Sequence, residues 1–134
     1  MKYLTTFVVA GWLFVPGSYW NVAAAECSNP ITTKEILRCE TAKLKSVEKS
    51  LAEFRREIDQ VLTEKKDQKF ISLAHSAWLA YREKHCAVAA LLYEDGSMEP
   101  TMMTSCMLGV TEQRLKDLHV IFDPWLRGQE QKKR

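Results

Sequence analysis

Four cysteines (Cys27, Cys39, Cys86, Cys106) and three histidines (His75, His85, His119) are the residues of this chain best suited to redox, metal or nucleophilic chemistry. Their spacing argues against all three. The cysteines fall 12, 47 and 20 residues apart with no C-x-x-C pair, whereas structural zinc ligands come in close pairs. His75 and His85 lie ten residues apart on one expected helix, about 15 Å along its axis, too far to share a metal or a substrate. No G-x-S-x-G or H-E-x-x-H motif occurs, and glycine is too sparse for a phosphate loop. Acids are abundant, but they fall on the wet faces of the expected helices. Glycoside chemistry would need two of them apposed across a cleft. The expectation is a chain with no catalytic residue, no metal site and no cofactor.

What the cysteines do depends on the compartment. The chain opens "MKYLTTFVVAGWLFVPGSYWNVAAAEC", with one positive charge at Lys2, an apolar run from Phe7 to Val15, a Pro16-Gly17 break and Ala23-Ala24-Ala25. These are the parts of a cleavable export signal, expected over residues 1–25. The apolar run is shorter than the ~20 residues of a spanning helix, so no membrane span is expected once the signal is removed. All four cysteines follow the expected cleavage site, and an even number in a short exported chain reads as two disulfides. Four cysteines permit three pairings. The expected one is Cys27–Cys39 with Cys86–Cys106, because each pair is near in sequence and bridges a break between elements. After cleavage the net charge is about +1, with no concentrated basic face, which excludes nucleic acid as an expected partner.

The elements that position these residues are helical almost throughout. Thr32 and Glu35 form a T-x-x-E capping box behind Asn29-Pro30. Leu44, Val47, Leu51, Phe54, Ile58 and Val61 then recur in steps of three and four, the stripe of a helix packed along a partner. The charged run "EKKDQK" predicts a turn. A second helix from about Asp67 should bury Phe70, Leu73, Ala74, Ala77, Trp78 and Tyr81, and its "AVAALLY" segment should be the best-buried part. "EDGSMEP" breaks it, with Gly96 expected to take an unusual backbone angle. A third helix, Thr101 to Ile121, should bury Met103, Cys106, Met107, Val110, Leu115 and Leu118 and stop at Asp123-Pro124. The fold class is all-α: a disulfide-stapled antiparallel helical hairpin with a third helix packed across it. Residues 26–126 form one domain, and 127–134 a flexible basic tail.

Two clusters could meet a partner. Trp78, Tyr81 and Arg82 read mainly as core, with Arg82 stacked on Trp78 or paired with a carboxylate of the third helix. The turn carrying Glu94, Asp95, Gly96, Ser97 and Glu99 is the better binding candidate, since a Cys86–Cys106 bond would tie its base and reduce the entropy lost on binding.

The order W-L-x-Y-R-[DE]-x-x-C is filled by Trp78, Leu79, Tyr81, Arg82, Glu83 and Cys86, and Gly96-Ser97 forms a turn. The pattern C-x-x-x-x-T-x-x-R-x-x-x-L follows at Cys106, Thr111, Arg114 and Leu118. Together with Cys27, Cys39, Leu51 and Phe54, this resembles the bacterial LprI-type lysozyme-inhibitor family. The chain departs from that pattern at His75, where Gln is common, at Ala52 for Asn and at Phe54 for Tyr. These changes sit on the helix-pair seam and bear on packing. The resemblance implies a periplasmic or secreted protein whose partner is lysozyme or another cell-wall hydrolase. It also implies structural roles for Trp78, Tyr81, Arg82, Thr111 and Arg114, with Arg82 in an ion pair or stack and Thr111 in a local helix bond. An envelope accessory or secreted effector that never binds lysozyme is the other class left open. Oligomeric state is not legible.

Overall fold

A computed structural model describes residues 27–132. The expected export signal, residues 1–25, lies outside them. Among the described residues there are three helices: α1 (Thr33–Val61), α2 (Lys65–Leu91) and α3 (Glu99–Lys132).

The first helix begins where its local chemistry says it should. The Glu35 N–H donates to Thr32 Oγ1 at 3.2 Å, and the Thr32 N–H donates to Glu35 Oε2 at 3.0 Å. The reciprocal pair satisfies two donors that a bare helix end would leave open. The Thr32 N–H first, then the Ile31 N–H at 3.0 Å, hold the Glu35 carboxyl that accepts them below its ordinary range. The turn into α2 contains neither Gly nor Pro; instead Gln68 Nε2 donates to the carbonyls of Leu62 at 2.7 Å and Asp59 at 3.3 Å. A side chain of the second helix thereby closes the end of the first.

Leu51, Phe54 and Ile58 of α1 meet Leu118 of α3 in the buried core, with Leu62, Trp78, Leu115, Phe122 and Leu126 packed around them. The stripe read from α1 is therefore the core stripe. The backbone of α3 approaches both other helices closely, whereas α1 and α2 approach each other mainly through side chains. The third helix is thus the central partner of the hairpin arms. Both disulfides form as expected, Cys27–Cys39 and Cys86–Cys106. The first ties the arm before α1 to that helix, and the second ties α2 to α3.

Three expectations are corrected. Phe70, Leu73, Ala74, Ala77 and Tyr81 are exposed, as are Val88, Leu91 and Leu92 of the "AVAALLY" segment. The inward line of α2 runs instead through Trp78, Arg82, Cys86 and Ala90, about 100° round the helix from the line through Ala77 and Tyr81. An all-apolar segment gives no periodic signal to fix that phase. Third, α3 does not stop at Asp123-Pro124 but continues to Lys132, with Pro124 inside it. A proline in a helix interior costs about 3 kcal/mol. Packing of Phe122 and Leu126 on the core offsets it, and the carbonyl robbed of its donor belongs to Val120, a solvent-exposed residue. Leu108 is buried and was not expected to be.

Candidate functional site

The turn after α2 is built by close backbone packing. Its left-handed residue is Asp95, with φ 60°, and no described glycine has a positive φ. Asp takes that conformation more readily than most residues, which corrects the role expected of Gly96. Gly96 is there for space: a Cβ on it would stand 2.9 Å from the Tyr93 carbonyl oxygen. That oxygen accepts the Gly96 N–H at 2.9 Å. One turn on, Glu99 Oε2 accepts the Asp95 N–H at 3.1 Å, so one of the three turn acids also braces the backbone. Glu94, Asp95 and Ser97 are exposed, and Glu99 is half-buried.

Beneath the turn, α2 and the start of α3 enclose a depression of about 530 Å³. Ala87, Ala90, Leu91 and Met103 give it an apolar wall, and Glu94 and Glu99 add two carboxylates. Leu92, 85% exposed, and Val88, 64% exposed, stand on the same end of α2. An apolar pocket with acids suits a long cationic side chain, which buries its methylene stem while the head finds a charge-assisted hydrogen bond. The exposed leucines were missed because they were assigned to the core. Their signal was that "AVAALLY" is apolar on every face, more than one packed face can use.

The aromatic-basic cluster has a different character. Arg82 Nη1 donates to Glu48 Oε1 at 2.8 Å and to Thr111 Oγ1 at 2.8 Å, and its guanidinium lies 5.0 Å from the Trp78 ring centroid. The stack and the ion pair both exist, but the carboxylate comes from α1 rather than α3. Fully buried Thr111 also donates to the Met107 carbonyl at 2.6 Å, the local helix bond. Three helices therefore meet at Arg82. Trp78 packs against the core, whereas Tyr81 points away from it and stacks on His85. Glu48 was missed, although it is four residues after Leu44 and three before Leu51, on the flank of the stripe.

Arg114 of α3 is half-buried, and with Arg55 and Arg82 it surrounds His75 with positive charge. Burial first, then those guanidinium groups, push the His75 imidazole below its ordinary value. Positions 52 and 75, two of the departures noted above, both line a groove between α1 and α2. Among the described residues no cluster of His, Cys, Asp and Glu could hold a metal ion, and no helix is long and apolar enough to cross a membrane.

A family model described as "Lysozyme inhibitor LprI" matches residues 13–118 of the chain, a span that takes in both disulfides, the Arg82 cluster and the acidic turn. An uncharacterized protein, R02472, from Rhizobium meliloti (strain 1021) is 32% identical over 50 residues, which cover 37% of this chain and 36% of that protein. The chain thus spans about a third of the length of that curated relative. No solved structure matches the present chain.

Proposed function

The chain belongs to the lysozyme inhibitor LprI family, and from that premise we propose that it is an exported, non-catalytic binding protein that inhibits a basic cell-wall hydrolase of the lysozyme type. Two disulfides support an exported life, since such bonds persist in oxidising compartments. The observation that carries the contact is the depression between α2 and α3, apolar in its wall and bearing Glu94 and Glu99. Lysozymes of host origin are strongly basic, and a Lys or Arg of such a partner fits this chemistry. Asp95 at the tip adds a third acid, which steers the approach of a cationic partner. The Cys86–Cys106 bond and the tight Gly96 packing hold the surface in one shape, reducing what binding must order.

The test is a pull-down of the purified, signal-free protein against lysozyme, followed by the turbidity of a lysing cell-wall suspension. The wild-type protein should bind and slow clearing. Replacing Glu94, Asp95 and Glu99 with Gln, Asn and Gln should slow association, by a factor that shrinks as salt rises. Asn retains access to the left-handed angle and Gln retains an acceptor, so folding should hold. No binding by the wild type would favour the envelope-accessory reading; equal binding by the triple variant would move the contact elsewhere.

A further inference from the structure

The groove between α1 and α2 has a volume of about 180 Å³, and its two ends differ in charge. At one end Arg82 of α2 meets Glu48 of α1 at 2.8 Å. At the other, the lining residues Arg55 of α1 and His75 of α2 have no acid between them. Arg55 forms no ion pair with any described carboxylate, and both its Nε and the His75 Nδ1 are buried without a hydrogen-bond partner. Arg114 of α3 adds a further positive charge beside His75, and its Nε is likewise buried and unpartnered. Buried polar groups are nearly always satisfied, so unpartnered nitrogens on two residues that line the groove, Arg55 and His75, call for an explanation. The Glu48–Arg82 pair gives the template: a carboxylate already sits on a guanidinium at the opposite end.

We propose that the Arg55 end of this groove is a binding site for a carboxylate carried on a small apolar group, with Arg55 as its counter-ion and Trp78 as its apolar wall. The volume sets the size of that group. Cavities of about 150 Å³ admit a benzene-sized molecule, so a ring or branched aliphatic acid fits and a long peptide does not. The carboxylate belongs either to a free organic acid or to the terminal residue of a peptide. The site shares no residue with the acidic turn, and it stands or falls independently of hydrolase inhibition.

The test is a titration of the signal-free chain, both disulfides intact, with sodium benzoate at constant ionic strength, following the Trp78 indole and Arg55 Nε–H signals by NMR. Benzyl alcohol serves as the uncharged analogue and N-acetylphenylalanine as the peptide-terminus probe. Benzoate should shift both signals saturably and bind about tenfold more tightly than benzyl alcohol, the worth of one charge-assisted hydrogen bond. Arg55→Gln should abolish that preference. Ala52→Leu, at an exposed position lining the groove, should block benzoate without removing charge or unfolding the chain. Tighter binding of N-acetylphenylalanine than of benzoate assigns the site to peptide termini, and the reverse order to free acids. Equal binding of benzoate and benzyl alcohol overturns the proposal, as does a preference that survives Arg55→Gln. If Arg55→Gln does not fold, Ala52→Leu decides: unchanged benzoate binding there overturns it.

Discussion

The two ends of the molecule are held together by different forces. Where α1 ends and α3 runs past it, Leu51, Phe54, Ile58 and Leu118 are buried against each other. Where α2 turns into α3, Val88, Leu91 and Leu92 face solvent, and a disulfide joins Cys86 to Cys106. A small domain has a limited core. The large side chains of that core cluster at one end, while the other buries Cys39, Cys86, Ala90 and Leu108, and the covalent bond adds to their smaller apolar burial. The apolar residues released from packing then stand beside three acids, on a surface whose shape is already fixed. On the proposed function, the difference separates what folds the protein from what it shows to a partner.

The largest effect should come from the packed end. Leu51 is 3% exposed, so Leu51→Ala should cost about 2–4 kcal/mol, read as a lowered denaturant midpoint at unchanged slope. Lys45→Ala, on the wet face of the same helix, should stay within about 0.5 kcal/mol. Equal small shifts would mean that α1 is not packed as described.

At the tied end, replacing Cys86 and Cys106 together with Ser should cost about 3 kcal/mol, the chain-entropy value for a loop of this size. The two ends should also differ in kind. The disulfide variant should lose hydrogen-exchange protection first around 86–106, whereas Leu51→Ala should lower protection throughout. A uniform loss in both would erase the distinction. Gly96→Ala should be milder, about 1–2 kcal/mol, because the new methyl meets the backbone oxygen of Tyr93 rather than a movable side chain.

A smaller, pH-dependent effect should come from the groove. His75 is pushed below its ordinary value in the folded protein, so the unfolded chain binds the proton more readily. Its contribution is complete above the ordinary histidine range and is lost as pH falls through it. His75→Gln should flatten that part of the stability–pH curve; an unchanged slope would remove His75 as its source.

Local chemistry was legible in the sequence, and register was not. The capping box at Thr32 and Glu35 lies within four residues, the stripe of Leu51, Phe54 and Ile58 within one helix, and each disulfide spans a short separation. The inward face of α2 was misread because "AVAALLY" offers no polar side to set its phase. Pro124 was misread as a stop because a local rule was overridden by burial of Phe122 and Leu126 on either side. The meeting of Glu48, Arg82 and Thr111 depends on how three helices align, and no single stretch records that. At the turn, the acids and the tie were visible. The depression beneath them was not, because it needs the approach of Met103 and Pro100 to the end of α2.

On the proposed function, the turn end displays apolar and acidic groups for a partner and does not need them to fold. Leu91→Ser with Leu92→Ser tests it most directly, because both side chains are largely exposed. Unfolding free energy and lysozyme affinity should be measured on the same preparation. Stability should stay within about 0.5 kcal/mol of wild type and affinity should weaken about tenfold or more, as at an interface hot spot. A loss of stability with affinity intact would make these leucines part of the fold and not of a binding surface.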